Sequence, residues 1–283
     1  MPSNIRINNR VVSTLQVGDV IAQSAYYGQS FVFITAFDPD AATYIEAVEA
    51  ADEQTLEEGV KQAIDGFVTG CKADGIWDAI KASCILAGAR TLNGALVPLA
   101  GDSPTNFNFV SADYDRVTGL KGDGSTKYLD SNRSNDADPQ NSKHVSVWVS
   151  SFIASTNMLI AIGAFDTSGA SNLYISSSDT GRAFLNVTGA GSISFIPATG
   201  FVGASRANAE TYSDRSGGVS QLWDRISQSP LSGNLFVLAR NDGGLQFPSP
   251  ARISLYSIGE AVDLATLDAR VSTLMAEIEA ALT

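Results

Sequence analysis

From Asn93 onward the chain reads as short runs in which apolar and polar positions alternate, separated by Gly, Ser, Asn and Thr. "TKYLD", "HVSVWVSSF", "NMLIAIGAF", "NLYISSS", "AFLNVTG", "SISFIPA", "VSQLWDR", "NLFVLAR" and "ARISLYSIG" are strand candidates. Strand side chains alternate between two faces, and turn residues punctuate the runs. No helix-length pattern interrupts them, which argues against a parallel α/β sheet and predicts an all-β sandwich. In "HVSVWVSSF", Val145, Val147 and Val149 fall on one face, and Ser146, Trp148 and Ser150 on the other.

The preceding residues have a different period. Leu56, Val60, Ile64 and Phe67 recur at helical spacing, and Cys71 extends the stripe. Asp38 or Asp40 is placed to cap a first helix, with Pro39 in its first turn. Two main helices and a shorter third are expected, with Gly70, Gly75 and Gly88 as breaks or caps. Before them, "NIRI" and "RVVS" flank Asn8-Asn9, a hairpin signal, and β-branched and aromatic residues continue to residue 36. At the far end, Leu264, Leu267, Val271, Leu274 and Ile278 alternate by three and four, an apolar stripe of a little over two heptads that Asp263 can cap. A stripe this short is expected to pack on its own domain. The organisation predicted is a β arm over 1–36, a helical region over 37–92, and a sandwich with a closing helix over 93–283.

Charge narrows the partners. The chain of 283 residues carries a formal net charge of −12, and residues 38–74 hold ten acids against two lysines. Phosphate backbones and anionic membrane surfaces call for basic surface, so nucleic acid and membrane are not expected partners. No run approaches the roughly 20 apolar residues of a spanning helix. "MPSNIRINNRVV" shows no apolar signal region, so no secretory signal is expected. Two cysteines and one histidine make neither a disulfide framework nor a Cys/His zinc set. Cys71 and Cys84, both in what reads as helical surroundings, are expected to be buried free thiols.

"LKGDGSTKYLD", residues 120–130, holds Gly122, Gly124 and Lys127 and looks like a phosphate-gripping loop. Such a loop needs Lys followed by Ser or Thr, and then a helix whose N-terminus favours the anion. Here Ser125 and Thr126 precede the lysine, Tyr128 follows it, and "DSNRSNDADPQNS" cannot continue as a helix. A glycine turn leading into a strand is the reading.

These pieces resemble a family. "LKGDGSTKYLD" resembles the first strand of laminin G-like, concanavalin A-like jelly rolls, and "HVSVWVSSF" their next strand. "ARISLYSIGEAVDLATLDARVSTL" resembles their final strand, glycine turn and short helix. The helical stretch "GVKQAIDGFVTGCKADGIWDAIKASCILAGARTL" joined to such a domain is similar to structural proteins of tailed bacteriophages. The resemblance implies a virion part of tail-fibre, tail-tip or head-decoration type, assembled in the host cytoplasm beside other virion proteins. It further implies a non-enzymatic homo-oligomer, with a trimer the commonest form, whose jelly roll contacts a host-surface glycan. The alternatives are a decoration protein that binds nothing and, more weakly, a glycan hydrolase.

Candidate site residues follow. His144, the sole histidine, would have to serve any Ser-His-Asp triad, but no nucleophile elbow accompanies it and a surface position at a strand start is expected. A hydrolase needs two converging carboxylates, for which Glu210, Asp214, Asp224 and Glu260 are candidates. Asp130, Asn132, Asp136 and Asp138 offer hard oxygen ligands for calcium in one loop. The spacing misses the EF-hand pattern, so a metal-free Asx-rich turn is expected and no cofactor is assigned. Trp148 and Trp223 are the candidate glycan platforms, since a flat aromatic suits the C–H face of a sugar; cover by the helices or a neighbouring subunit is the competing reading for each.

Overall fold

In a computed structural model, the described residues are 37–151, 159–165, 170–174, 181–187 and 199–283, together with the backbone of four strands between residues 5 and 35. Those four, β1 (Ile5–Ile7), β2 (Arg10–Val17), β3 (Val20–Tyr27) and β4 (Ser30–Thr35), form an antiparallel meander of their own. Ile7 pairs with Arg10, so the first hairpin closes over the Asn8-Asn9 position; those two residues lie outside the described ones.

Helix α1 (Pro39–Asp52) starts where Asp38 accepts the N–H of Asp40 at 3.0 Å. Helix α2 (Glu58–Ala73) buries Val60, Ile64, Phe67 and Cys71. Gly70 is not a break: it lies inside α2, where the Arg270 side chain passes so closely that any Cβ would clash at 2.6 Å. The expected third helix over "IKASCI" is also corrected. Residues Ile80–Ile85 form β5, a strand, and only the short α3 (Leu92–Ala95) follows. Cys84 therefore sits in a sheet; it and Cys71 are buried free thiols, each pushed up to about 12 by burial.

The strands that follow are β6 (Thr105–Phe107), β7 (Tyr114–Asp115), β8 (Gly119–Lys121), β9 (Tyr128–Ser134) and β10 (Lys143–Ser151). Next come β11 (Ile160–Phe165), β12 (Ala170–Tyr174), β13 (Arg182–Val187), β14 (Gly200–Arg206), β15 (Thr211–Ser216) and β16 (Val219–Asp224). The last are β17 (Asn234–Val237), β18 (Arg240–Asn241), β19 (Leu245–Gln246) and β20 (Arg252–Gly259), before helix α4 (Leu264–Leu282). "SISFIPA" lies outside the described residues.

One sheet has the order β16-β15-β14-β10-β20-β8-β7, with β5 also paired to β20. The other runs β13-β12-β11-β17-β9-β6. After β8 the chain changes sheet at β8–β9, β9–β10, β10–β11, β13–β14, β16–β17 and β19–β20, so strands distant in sequence lie side by side. This is a mainly β sandwich of two sheets with the crossing strand order of a jelly roll, a preceding helical region, an N-terminal β arm and a closing helix.

Alternation decides the layers. Val145, Val147 and Val149 are fully buried and face Leu129, Leu173, Leu185 and Leu235 of the other sheet. Each such side chain contributes about 1.5–3 kcal/mol by leaving water. Trp148 falls on the opposite face, with Phe201 and Leu255, and this face packs against the helices. Asp263 caps α4 by accepting the N–H of Thr266 at 2.7 Å, and the predicted stripe Leu264, Leu267, Val271, Leu274, Ile278 is buried against α2 and the sheet. The sheet is thus covered twice, and its helix-facing side ends in an incompletely filled corner. Among the described residues no helix is long and apolar enough to cross a membrane.

Candidate functional site

That corner is a cleft of about 470 Å³ between the end of β10, the start of β14 and the outer turns of α4. Trp148 and Ser150 come from β10, Thr118 from the turn before β8, Thr199 and Gly200 from the start of β14, and Ser272, Met275 and Glu279 from α4. Trp148 is partly buried: its ring packs against the helical layer and still reaches the cleft. The neighbouring strand supplies Gly200, with φ at +106°, where a Cβ would stand 3.9 Å from the ring. Glycine is the residue that takes this backbone without strain and leaves the edge of the indole clear.

The polar groups around the ring are mostly held in place. The register between β10 and β20 slips between Trp148 and Val149, leaving Ser254 as the extra residue of a bulge, and the hydroxyls of Ser150 and Ser254 bond to each other. Ser254 in turn donates to the Thr118 carbonyl at 2.9 Å. Ser272 donates to Asp268, which is ion-paired with Arg215. Glu279 stands exposed at the rim. An indole face ringed by hydroxyls and one carboxylate can stack on a pyranose and hydrogen-bond its hydroxyls.

Trp223 does something else. Its Nε1 donates to Asp214 at 2.7 Å, and its ring packs on the core between the sheets. Burial raises the Asp214 carboxyl, opposed by the indole N–H. The four carboxylates considered for hydrolysis are not brought to the cleft. Asp214 is buried beneath Trp223, Glu260 is ion-paired with Lys81, and Glu210 and Asp224 lie exposed at one end of the β15–β16 hairpin.

His144 is at a strand start but not at the surface: it is fully buried. Its Nδ1 meets the Glu260 carbonyl at 2.5 Å and its Nε2 the Ser257 hydroxyl at 2.8 Å, which assigns the Nδ1–H tautomer. Burial pushes it down to about 4. Beside it, burial lowers Lys143 to about 8, and its ammonium donates to the Asn135 carbonyl at 2.5 Å.

The four oxygen-bearing residues considered for calcium are dispersed among separate partners. Asp138 takes both Nε and Nη2 of Arg133, Asp130 accepts the N–H of Asn132 and the amide of Asn234, and Asp136 accepts from Ser134. Asn132 donates to the Ser103 carbonyl. No group of three or more His, Cys, Asp or Glu suited to a metal occurs among the described residues.

The glycine loop resolves as a turn filled by its own anion. Asp123 Oδ1 accepts the N–H groups of Ser125, Thr126 and Lys127 at 2.8, 2.8 and 3.0 Å. Burial would raise this carboxyl, but those donors outweigh it and hold it well below the usual carboxylate range. Lys127 is engaged by Asp113 at 2.6 Å.

No family model matches the chain, and no curated protein matches it by sequence. Among solved structures it is similar to a mutant of Trypanosoma rangeli sialidase displaying trans-sialidase activity, at 10% identity and TM-score 0.46, over 96% of this chain and 44% of that one. It is similar to the botulinum neurotoxin serotype D binding domain at 13% identity and TM-score 0.43, over 72% of this chain and 52% of that one. The chain spans about half the length of these proteins, and nothing of what they bind or cleave transfers at that level of likeness.

Proposed function

We propose that this chain is a recognition module that holds a surface glycan in the Trp148 cleft and acts without catalysis. The observation that carries the reading is the indole ring of Trp148 at a cleft of about 470 Å³, with Gly200 leaving its edge uncovered. Glu279 is the one carboxylate among the described lining residues, whereas glycoside hydrolysis takes two. In line with the resemblance carried by "LKGDGSTKYLD", "HVSVWVSSF" and the helical stretch before them, the module belongs to a tailed-phage virion and contacts the host surface.

A second copy of the chain is the proposed occupant of the free edge of β16. Val219 and Leu222 are 60% and 69% exposed there, and the pairing of β16 with β15 is unbroken by any bulge. Residues 219–226 contain no lysine or proline, the usual protectors of an edge, and carry one acid and one base in a chain of net charge −12. Antiparallel self-pairing is twofold, so sedimentation is expected to give a dimer that Leu222→Lys dissociates; a trimeric mass unaffected by that variant overturns the assignment.

The glycan reading is tested on a panel of immobilised bacterial-surface polysaccharides with wild-type chain and Trp148→Ala. Binding that falls at least about tenfold in the variant is expected, since truncating a central tryptophan anchor costs about 2 kcal/mol or more. Absence of binding by the wild type, or binding indifferent to Trp148→Ala, refutes it.

A further inference from the structure

Charge around the cleft is one-sided. No lysine, arginine or histidine is among its described lining residues, and Glu279 carries the only formal charge. Cations on neighbouring segments are held elsewhere: Arg252, beside the lining Thr118 and Ser150, donates to the Gly119 carbonyl at 2.5 Å. Arg116, next to the lining Val117, is held by both carboxylate oxygens of Glu57 at 3.0 and 2.6 Å. Arg215, on the β15 side of α4, is held by Asp268 at 2.7 Å.

The helix adds to the same sign. The lining residues Met275, Ala276 and Glu279 come from the C-terminal half of α4, and its last turn carries no basic residue. A helix C-terminus presents partial negative charge, which a lysine or arginine in the last turn ordinarily offsets. Glu279 itself has no ion pair among the described residues. The rim therefore offers an unmatched carboxylate beside a stacking ring.

We infer that the Trp148 cleft selects amino sugars, whose protonated amine meets Glu279 while the ring stacks on the indole, and discriminates against sugars that carry a carboxylate. The inference rests on the reading of the cleft as a glycan site. Uronic and sialic acids would bring a second negative charge to a rim with no cation among its described lining residues. Neutral sugars bind between these limits, by stacking and hydroxyl contacts alone.

Calorimetry with three oligosaccharides of matched length tests it: free-amine glucosamine oligomers, their N-acetylated neutral counterparts, and uronic-acid oligomers. The measurement is made at about pH 6, below the range of an ordinary amine, so that the ligand is charged. The amine oligomer is expected to bind up to about fivefold tighter than the neutral one, the scale of an exposed ion pair, and the acid a similar factor weaker. Glu279→Gln is expected to bring the three affinities together, and added salt to narrow their spread. If none of the three binds the wild type, the glycan reading itself fails. If all bind through Trp148 but the acid binds as well as or better than the amine, or the ranking survives Glu279→Gln, the charge selection is overturned and the glycan reading stands.

Discussion

The imidazole Nε2 of His144 lies 2.8 Å from the hydroxyl of Ser257, two buried side chains on adjacent strands. The ring is neutral in the fold, because its Nδ1–H is spent on the Glu260 carbonyl and burial depresses its pKa from 6.5 to about 4. The unfolded chain therefore binds more protons than the folded one between those two values. Stability is expected to be lost as pH falls from 6.5 towards 4, by roughly 3 kcal/mol at most. Asp214, whose carboxyl burial raises, works in the opposite sense in part of the same range. Urea titrations from pH 7 to 4 on the wild type and His144→Gln separate the two. The difference between the proteins should narrow as pH falls, and a parallel pair of curves counts against a neutral buried histidine.

The closing helix is expected to be needed for stability rather than association. Leu267 and Leu274 are 0% and 1% exposed and face α2 and the sheet within one chain. Truncating such a leucine costs about 2–5 kcal/mol. Leu267→Ala should lower the melting temperature equally at high and low protein concentration. A loss seen only on dilution would place the stripe at a subunit seam.

The turn at Gly122–Lys127 is expected to ignore nucleotides and to depend on Asp123. Its three backbone N–H donors already hold that carboxylate. Asp123→Ala hands these exposed donors to water and should cost about 0.5–1.5 kcal/mol, whereas Asp123→Asn keeps one acceptor oxygen and should cost less. Saturable ATP binding in calorimetry that disappears in Lys127→Ala would contradict this account.

Much of the sandwich was legible because alternation is a strong signal where one face is apolar, as in Val145, Val147 and Val149. Strand β15 gave no such signal: its inward positions are Tyr212, Asp214 and Ser216, so polarity does not alternate. Strand β5 was misread because "IKASCI" is a short, alanine-containing apolar run, which periodicity cannot assign. What settles it is the edge of β20, 170 or so positions away, which supplies its ladder of partners. The burial of His144 depends likewise on a carbonyl at Glu260. Of the cleft, only Trp148 could be read in advance. Thr118, Gly200 and Glu279 join it from three other segments, each unremarkable in its own stretch of sequence.

The two tryptophans that looked equivalent in sequence are expected to separate cleanly by experiment. Trp223 donates to Asp214, which is 2% exposed, and it covers the inter-sheet core. Trp223→Phe keeps a ring and removes the donor, leaving a buried carboxyl without its indole partner at a cost of about 1–3 kcal/mol. That variant should melt earlier and bind glycan as the wild type does. Trp148 spends its ring partly on the helical layer and partly on the cleft, and its loss should reach binding first. Trp148→Ala should weaken glycan binding at least about tenfold while the chain stays folded by circular dichroism, and Trp148→Phe, which retains a smaller stacking face, should recover part of the affinity. Should Trp223→Phe weaken binding as much as Trp148→Ala at equal foldedness, the ligand surface lies on β16 and the cleft is not the site.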